Sequence, residues 1–408
     1  MRLRARWLYR EVLKPPADAV LEWEGDRVVA FHEAAGPAED DLAVLPAFVN
    51  AHTHLELSGL RGRLPPGPFP AWVRALIALR AGEVPAEAVR AGAAEALATG
   101  TAAVGDISTA GAAMDVIRGA GAPGGVVFEE VLGLDPSRAA AALDGAARRL
   151  RPGNGRVRPG LSPHAPYSVS APLFQGVAAR AAALGLPLAV HVAESPEELE
   201  FLARGTGALR DLLEELRAFP AGFRPPGVTP VAWLARLGLL ERRPLLVHAN
   251  YLDDDDVARI RGSGCAVVFC PRSHHFFGYD QCSVPRLLAA GVTVALGTDS
   301  LASAPSLDLM EEVRALAASG GVAPARALHL ATRAGGEALG LPEAGRLAPG
   351  GPADFTAWRI PAGASDPLEA IVDGSAVRVR SVVRGAAGAV APDPRMGIFT
   401  PLPPGPDP

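Results

Sequence analysis

Seven of the nine histidines in this chain stand at or just past the ends of short apolar runs, with carboxylates close by. The run Leu45 to Asn50 leads directly into Ala51-His52-Thr53-His54-Leu55-Glu56. Residues two apart along a strand point to the same side, so His52 and His54 can grip one metal ion. Three later runs end in His191-Val192-Ala193-Glu194, Val247-His248-Ala249-Asn250 and Gly297-Thr298-Asp299-Ser300. An isolated His-x-His pair reads equally well as two polar loop residues, and an isolated strand-end histidine as a structural one. Four such ends, each with a metal-capable or proton-transferring side chain, point to one shared metal site with acid–base groups around it. The chain has only three asparagines, and two of them, Asn50 and Asn250, flank this set.

Such a set needs a scaffold that brings several strand ends together. Short β-prone runs recur at Phe48–Val49, Ala102–Val104, Val126–Phe128, Arg158–Ser162, Leu188–Val192, Leu245–Val247, Ala266–Phe269 and Val292–Leu296. Stretches of helical period lie between them, at Ala86–Ala98, Pro136–Leu150, Ser170–Ala183 and Asp254–Ile260. Eight strands alternating with helices predict an α/β fold of the TIM-like (β/α)8 barrel type, whose active sites lie at the C-terminal strand ends. A doubly wound sheet would need a glycine-rich phosphate loop after an early strand, and none is present. Both chain ends read as extended: 19–23 and 27–31 flank the hairpin signal Glu24-Gly25-Asp26, and 353–359 and 377–383 match them. The expected division is 1–45 plus 347–400 as a small β unit, 46–346 as the barrel and 401–408 as a loose Pro-rich tail. The segment 205–230 is longer than a plain crossover and suits a lid.

Composition narrows the function. The chain has 408 residues, 49% hydrophobic and 20% charged, enough for a large core and too apolar for disorder. Its net charge of -5 and pI of 6.0 argue against nucleic acid as a partner. No apolar run of membrane-spanning length or signal-peptide pattern occurs, so no membrane association is expected. Cys265, Cys270 and Cys282 are odd in number and lack a CxxC pair, against a disulfide framework and a structural zinc site. A cytoplasmic protein acting on a small molecule is the default. Of 39 lysines and arginines only Lys14 is a lysine, so chemistry needing a central lysine would have to use it.

The order HTHLE, HVAE, VHAN, GTDS resembles the amidohydrolase superfamily, in its mononuclear deaminase and chlorohydrolase branch. Leu161-Ser162-Pro163-His164-Ala165-Pro166-Tyr167 is similar to that branch's substrate-contacting segment. Ala331-Thr332 through Pro352-Ala353-Asp354 is similar to its return to the small β domain. The resemblance implies a barrel beside a small β-sandwich built from both chain ends. It implies one divalent metal ion, zinc first and iron open, held by His52, His54, His191 and Asp299 with room for a water. Asp299 would act as base, Glu194 would protonate a ring nitrogen, His248 would orient the attacking water, and His164 would contact substrate. Binuclear relatives bridge their metals with a carboxylated lysine; Lys14 precedes the first barrel strand, so such a site is not expected. Homodimers are common in the superfamily.

The extension His54-Leu55-Glu56-Leu57-Ser58, with Trp72-Val73-Arg74-Ala75-Leu76-Ile77 and Arg80 after it, resembles aminodeoxyfutalosine deaminases of the menaquinone pathway. Methylthioadenosine/S-adenosylhomocysteine deaminases tend to carry a ribose-binding Glu near Arg80; here Ala78-Leu79-Arg80 stands, with Glu83 close by. Arg80 could meet a substrate carboxylate. Cys270-Pro271-Arg272-Ser273-His274 resembles a pocket-lining loop of these enzymes. Ser58, Arg80, His164 and Arg272 are thus the expected substrate-binding residues. The expected activity is deamination of an aminated purine-type ring, with aminodeoxyfutalosine as the narrow choice. The alternatives are adenosine-, methylthioadenosine/S-adenosylhomocysteine- or guanine-type deamination, chlorohydrolysis, and a non-catalytic binding barrel.

Overall fold

The computed structural model describes residues 1–34, 41–80, 86–109, 111–119, 121–383 and 386–388. Eight short parallel strands lie where the apolar runs predict them: β1 Phe48–Thr53, β2 Thr101–Ser108, β3 Gly124–Val131, β4 Val157–Pro163, β5 Ala189–Val192, β6 Leu245–His248, β7 Val267–Phe269 and β8 Val294–Leu296. They pair in order as two four-stranded sheets, β1 to β4 and β5 to β8. Isolated parallel bridges, Leu161 to Leu188 and Thr53 to Asp299, join the two sheets at both edges. All eight strands except β4 are buried along their whole length. That is why they read as continuous apolar runs, without the alternation of a half-exposed sheet.

Helices cover the crossovers. Ala86–Ala98 falls where its period places it, and Ala139–Arg149, Ala171–Leu184 and Asp254–Ser263 differ from expectation by a few residues. Asp253 caps the last of these: its carboxylate accepts from the Asp256 amide at 2.7 Å. Asp256 is the last of four consecutive aspartates, Asp253 to Asp256. It is fully buried and accepts from Thr229 Oγ1 at 2.6 Å.

The two chain ends meet in one seven-stranded sheet. Its order is Ala386–Gly388, Val377–Val383, Phe355–Arg359, Leu42–Pro46, Arg2–Leu8, Ala17–Glu24, Arg27–Glu33. All its pairs are antiparallel except Arg2–Leu8 with Leu42–Pro46. Among the described residues these strands pair as one hydrogen-bonded sheet, and a separate β-sandwich is not shown. Trp23 and Phe355 meet edge to face in its core, with ring centroids 5.2 Å apart. The 401–408 tail lies outside the described residues.

The segment 205–230 contains a helix, Ala208–Glu215. Leu209, Leu212 and Leu213 pack with Phe69, Tyr167 and Phe277, which come from segments beyond the strand ends. Arg74 on the helix Phe69–Leu79 pairs with Glu215 at 2.5 Å. The segment thus covers the side where the candidate residues emerge. Among the described residues, no helix is long and apolar enough to cross a membrane.

Candidate metal centre

β1 carries His52, 1% exposed, and the chain leaves the strand at His54. His54 Nδ1 lies 3.2 Å from the Ile107 carbonyl, and His191 Nδ1 lies 3.0 Å from the His164 carbonyl. A carbonyl only accepts, so both Nδ1 atoms carry the proton and both Nε2 lone pairs are free to bind a metal. His52 Nε2 is buried with no hydrogen-bond partner among the described residues.

Asp299, just past β8, completes the cluster. Its Oδ2 accepts from Ser273 Oγ at 2.6 Å and Ser303 Oγ at 3.0 Å. Its Oδ1 stands 3.6 Å from His52 Nε2 and 3.8 Å from His54 Nε2. These separations are too long for hydrogen bonds but suit donors sharing an ion about 2.0–2.2 Å from each. Ligand atoms of His52, His54 and Asp299 lie within 4.8 Å of one another, as do those of His52, His191 and His248. Three imidazoles, one of them with its buried Nε2 unpartnered, and one carboxylate fit a divalent cation.

The backbone at these strand ends is held in unusual conformations. Ala193, His248, Ala249 and Asp299 have φ of 50°, 72°, 48° and 55°, in the left-handed region that non-glycine residues seldom adopt. The two rare asparagines hold these bends. Asn50 Nδ2 donates to Thr298 Oγ1 at 2.8 Å and its Oδ1 accepts from the Thr298 amide at 3.1 Å, tying β1 to the residue before Asp299. Asn250 Nδ2 donates to the Glu194 carbonyl at 2.9 Å, tying the end of β6 to that of β5.

Electrostatics favour neutral rings and one anion. Burial, with nearby His52, lowers His54 to about 3. Burial likewise lowers His248 to about 3 and His191 well below its ordinary value. Burial opposes ionisation of Asp299, yet His52, His54 and His248 hold its carboxyl well below the usual range. Glu194 goes the other way: burial, then the Asp299 charge, push it well above the usual carboxylate range. Its Oε1 lies 3.5 Å from His248 Nε2. The proton affinities of two carboxyls in one site are thus driven apart, Asp299 downward and Glu194 upward.

The expected substrate residues divide. His164 sits beside the cluster, its ring centroid 5.0 Å from that of His191. Arg80 reaches Glu56 Oε2 at 3.1 Å and also binds Thr109 Oγ1, and its charge is felt by His54. Arg272 does not join them. Its Nε donates to Glu312 Oε1 at 2.7 Å, Nη1 to Ser306 Oγ at 2.9 Å and Nη2 to the Ser306 carbonyl at 2.7 Å, so the guanidinium pins the chain after β8. Ser58 also turns away. Its Oγ packs against Gly92 of the helix Ala86–Ala98, where a Cβ would come within 2.2 Å of it. Glu83 lies outside the described residues.

Ser273 and Ser303, as supports of Asp299, were not among the residues that sequence pattern marks. Nor was Glu198, whose Oε2 accepts from the Glu194 amide at 2.9 Å. Ser303 stands four residues after Asp299, but nothing in its type or spacing marks a hydroxyl that will turn back onto a carboxylate.

The sequence matches the amidohydrolase family over residues 43–385. Aminodeoxyfutalosine deaminase of Deinococcus radiodurans is 45% identical over 202 residues, which span 46% of this chain and 48% of that protein. The chain thus spans about half the length of that relative. 5-Methylthioadenosine/S-adenosylhomocysteine deaminase of Moorella thermoacetica is 32% identical over 354 residues, 82% of this chain and 75% of that protein. Among solved structures, Helicobacter pylori aminofutalosine deaminase in complex with methylthio-coformycin superposes with a TM-score of 0.81 at 22% identity, covering 95% of this chain and 99% of that one. A zinc-bound adenosine deaminase from Xanthomonas campestris gives 0.75 at 23% identity, covering 95% and 92%. At these identities the structural likeness is one of fold. With the family pattern running through most of the sequence, the chain belongs to the amidohydrolase family.

Proposed function

We propose that this protein is a metal-dependent hydrolase that releases ammonia from an aminated purine-type ring, with aminodeoxyfutalosine as the preferred substrate. The observation that carries the reading is the pair of groups that share His52, namely His52, His54 and Asp299 with His52, His191 and His248, and beside them Glu194, whose carboxyl is raised by burial well above the usual range. The Deinococcus relative supports the narrow substrate, and the Moorella relative keeps methylthioadenosine and S-adenosylhomocysteine as the second reading.

In this reading His52, His54, His191 and Asp299 hold one divalent ion, zinc by its donor set. Such an ion supplies Lewis acidity and brings the pKa of water toward neutrality. Asp299, fixed through Oδ2 by two hydroxyls, presents Oδ1 to take the proton of the attacking water. His248, neutral and buried, orients that water. Glu194 donates its proton to a ring nitrogen, so that electron density leaving the ring during attack has somewhere to go. His164 and Arg80 face the remainder of the substrate. The bridges Leu161–Leu188 and Thr53–Asp299 support closure of the two parallel sheets into a (β/α)8 barrel over 46–346, with the chain ends as a second unit.

The test is ammonia release by the zinc-loaded protein from aminodeoxyfutalosine, adenosine, methylthioadenosine, S-adenosylhomocysteine and guanine. Release from none of them would sink the reading. A His52→Ala variant is expected to lose bound metal and activity together, and full metal content with full activity would overturn the ligand assignment.

A further inference from the structure

A second group of charged side chains gathers at the opposite end of the parallel strands from the metal cluster. A cavity of about 340 Å³ lies there. Its wall includes Ala102, Gly125 and Arg158 from the starts of β2, β3 and β4, the segment 340–346, and Arg27 and Asp354 from the chain ends. Four arginines line it, Arg27, Arg156, Arg158 and Arg346, against three carboxylates, Asp26, Glu343 and Asp354. Arg27 engages two of those carboxylates, at 3.9 Å from Asp26 and 3.5 Å from Glu343. The other three arginines make no ion pair among the described residues. The Arg156 guanidinium donates only to the Ala122 carbonyl, at 2.9 Å, and that of Arg158 only to the Gly340 carbonyl, at 2.9 Å. The Arg346 side chain donates to nothing among the described residues. Its Nε is buried without a partner, as is the Nε of Arg156. Arg156 and Arg158 flank the first residue of β4 and so share one wall, whereas Arg346 comes from the segment 340–346.

We propose that this cavity is a binding site for a phosphate-type oxyanion, either free phosphate or the phosphate of a small monoester. A buried guanidinium nitrogen without an acceptor is costly, and a charge without a counter-ion more so. Three such arginines about one cavity make its potential positive and draw an anion. Each guanidinium offers its N–H groups as a planar fork that fits carboxylate or phosphate oxygens. Phosphate is favoured because its tetrahedral oxygens can meet forks from two walls at once, whereas the two oxygens of a carboxylate lie in one plane. The volume is at the lower end of small-molecule sites, about 300–1,000 Å³, and admits the anion with a short organic group attached. The walls come from the parallel strands and from the chain ends, so a bound anion bridges these two parts and stabilises the folded state. The site lies apart from the metal cluster and does not rest on the deaminase reading.

The test is titration calorimetry and thermal melting of the zinc-loaded protein with inorganic phosphate, with glycerol 3-phosphate, and with chloride at matched ionic strength. Phosphate or the monoester is expected to bind and to raise the melting temperature with concentration, and the tighter of the two identifies the source of the anion. Binding of neither would overturn the site, as would an equal response to chloride, which would reduce the effect to general screening. Arg346→Gln should melt as the wild type does in phosphate-free buffer and weaken anion binding about ten- to a hundredfold, the range of a hydrogen bond to a charged group. Arg156→Gln should weaken it similarly. Unchanged binding in both variants, or a marked loss of stability in Arg346→Gln without phosphate, would overturn the proposal. His52→Ala, or wild type stripped of metal by a chelator, should keep its affinity for the anion. Binding lost there but kept in Arg346→Gln would put the anion at the metal instead.

Discussion

At the scale of single residues, the site depends on groups that never touch the ion. Asp299 can present Oδ1 because Ser273 and Ser303 hold Oδ2. Ser273→Ala combined with Ser303→Ala should lower kcat about ten- to a hundredfold, with a smaller change in KM, as loss of supporting hydrogen bonds at metal sites does. Retained kcat in the double variant would show that the hydroxyls are bystanders. Glu198 gives a pH signature. Burial raises its carboxyl to about 8 from an ordinary 4.5, even though the Glu194 and Ala193 amides oppose this. The folded state therefore holds the proton more tightly than the unfolded one. Its contribution is fully present below about pH 4.5 and is lost as pH rises through about 8. The melting temperature should fall between pH 6 and 9. Glu198→Gln should flatten that fall by at least about 1 kcal/mol, since a tenfold difference in proton affinity between the two states is worth about 1.4 kcal/mol. An identical pH slope in the variant would show that Glu198 ionises freely.

At the scale of elements, the strands aim the histidines through close backbone approaches. β8 ends at Leu296, and the next residue, Gly297, lies against His52 of β1: a Cβ there would stand 2.8 Å from the His52 carbonyl oxygen and 2.8 Å from its Cβ. Gly297→Ala should displace His52 and weaken metal binding about ten- to a hundredfold, measured by competition with a chelator; unchanged affinity would mean that β1 can shift without disturbing its histidines. The eight strands were legible in the sequence because strands buried on both faces must be apolar throughout, and the ligands because they interrupt those runs at their ends. The roles of Arg272 and Ser58 were not legible. Arg272 meets Glu312, forty residues on, and Ser58 faces a glycine on a separate helix. Local spacing carries no record of which distant residue a side chain will meet. Asp256 makes the same point, since its burial depends on Thr229 from the preceding segment.

At the scale of the whole molecule, the sheet formed by the chain ends either steadies the parallel strands or takes part in the site. Arg378, on its strand Val377–Val383, separates these possibilities. Its Nη2 lies 2.8 Å from Asp308 Oδ2 and its Nη1 donates to the Thr99 carbonyl at 2.5 Å, both across the junction with the parallel strands. The paired side chains are 12% and 7% exposed, so removing one partner leaves a charge poorly solvated. Such a loss costs about 3–5 kcal/mol when the pair is buried. Asp308 also caps the helix Leu309–Ala318 through the Met310 amide, which ties the junction to the segment following β8. Arg378→Ala should therefore lower the melting temperature markedly. Asp299, however, is held by Ser273, Ser303 and the Asn50–Thr298 pair, and none of these hydrogen bonds involves Arg378. Well below the new melting temperature, kcat should stay within about threefold of wild type if the sheet only steadies the strands. A tenfold fall in kcat with metal content preserved would mean instead that strain at the junction reaches Asp299 through the segment 300–308. An unchanged melting temperature would show that the junction between the chain-end sheet and the parallel strands does not rest on this ion pair.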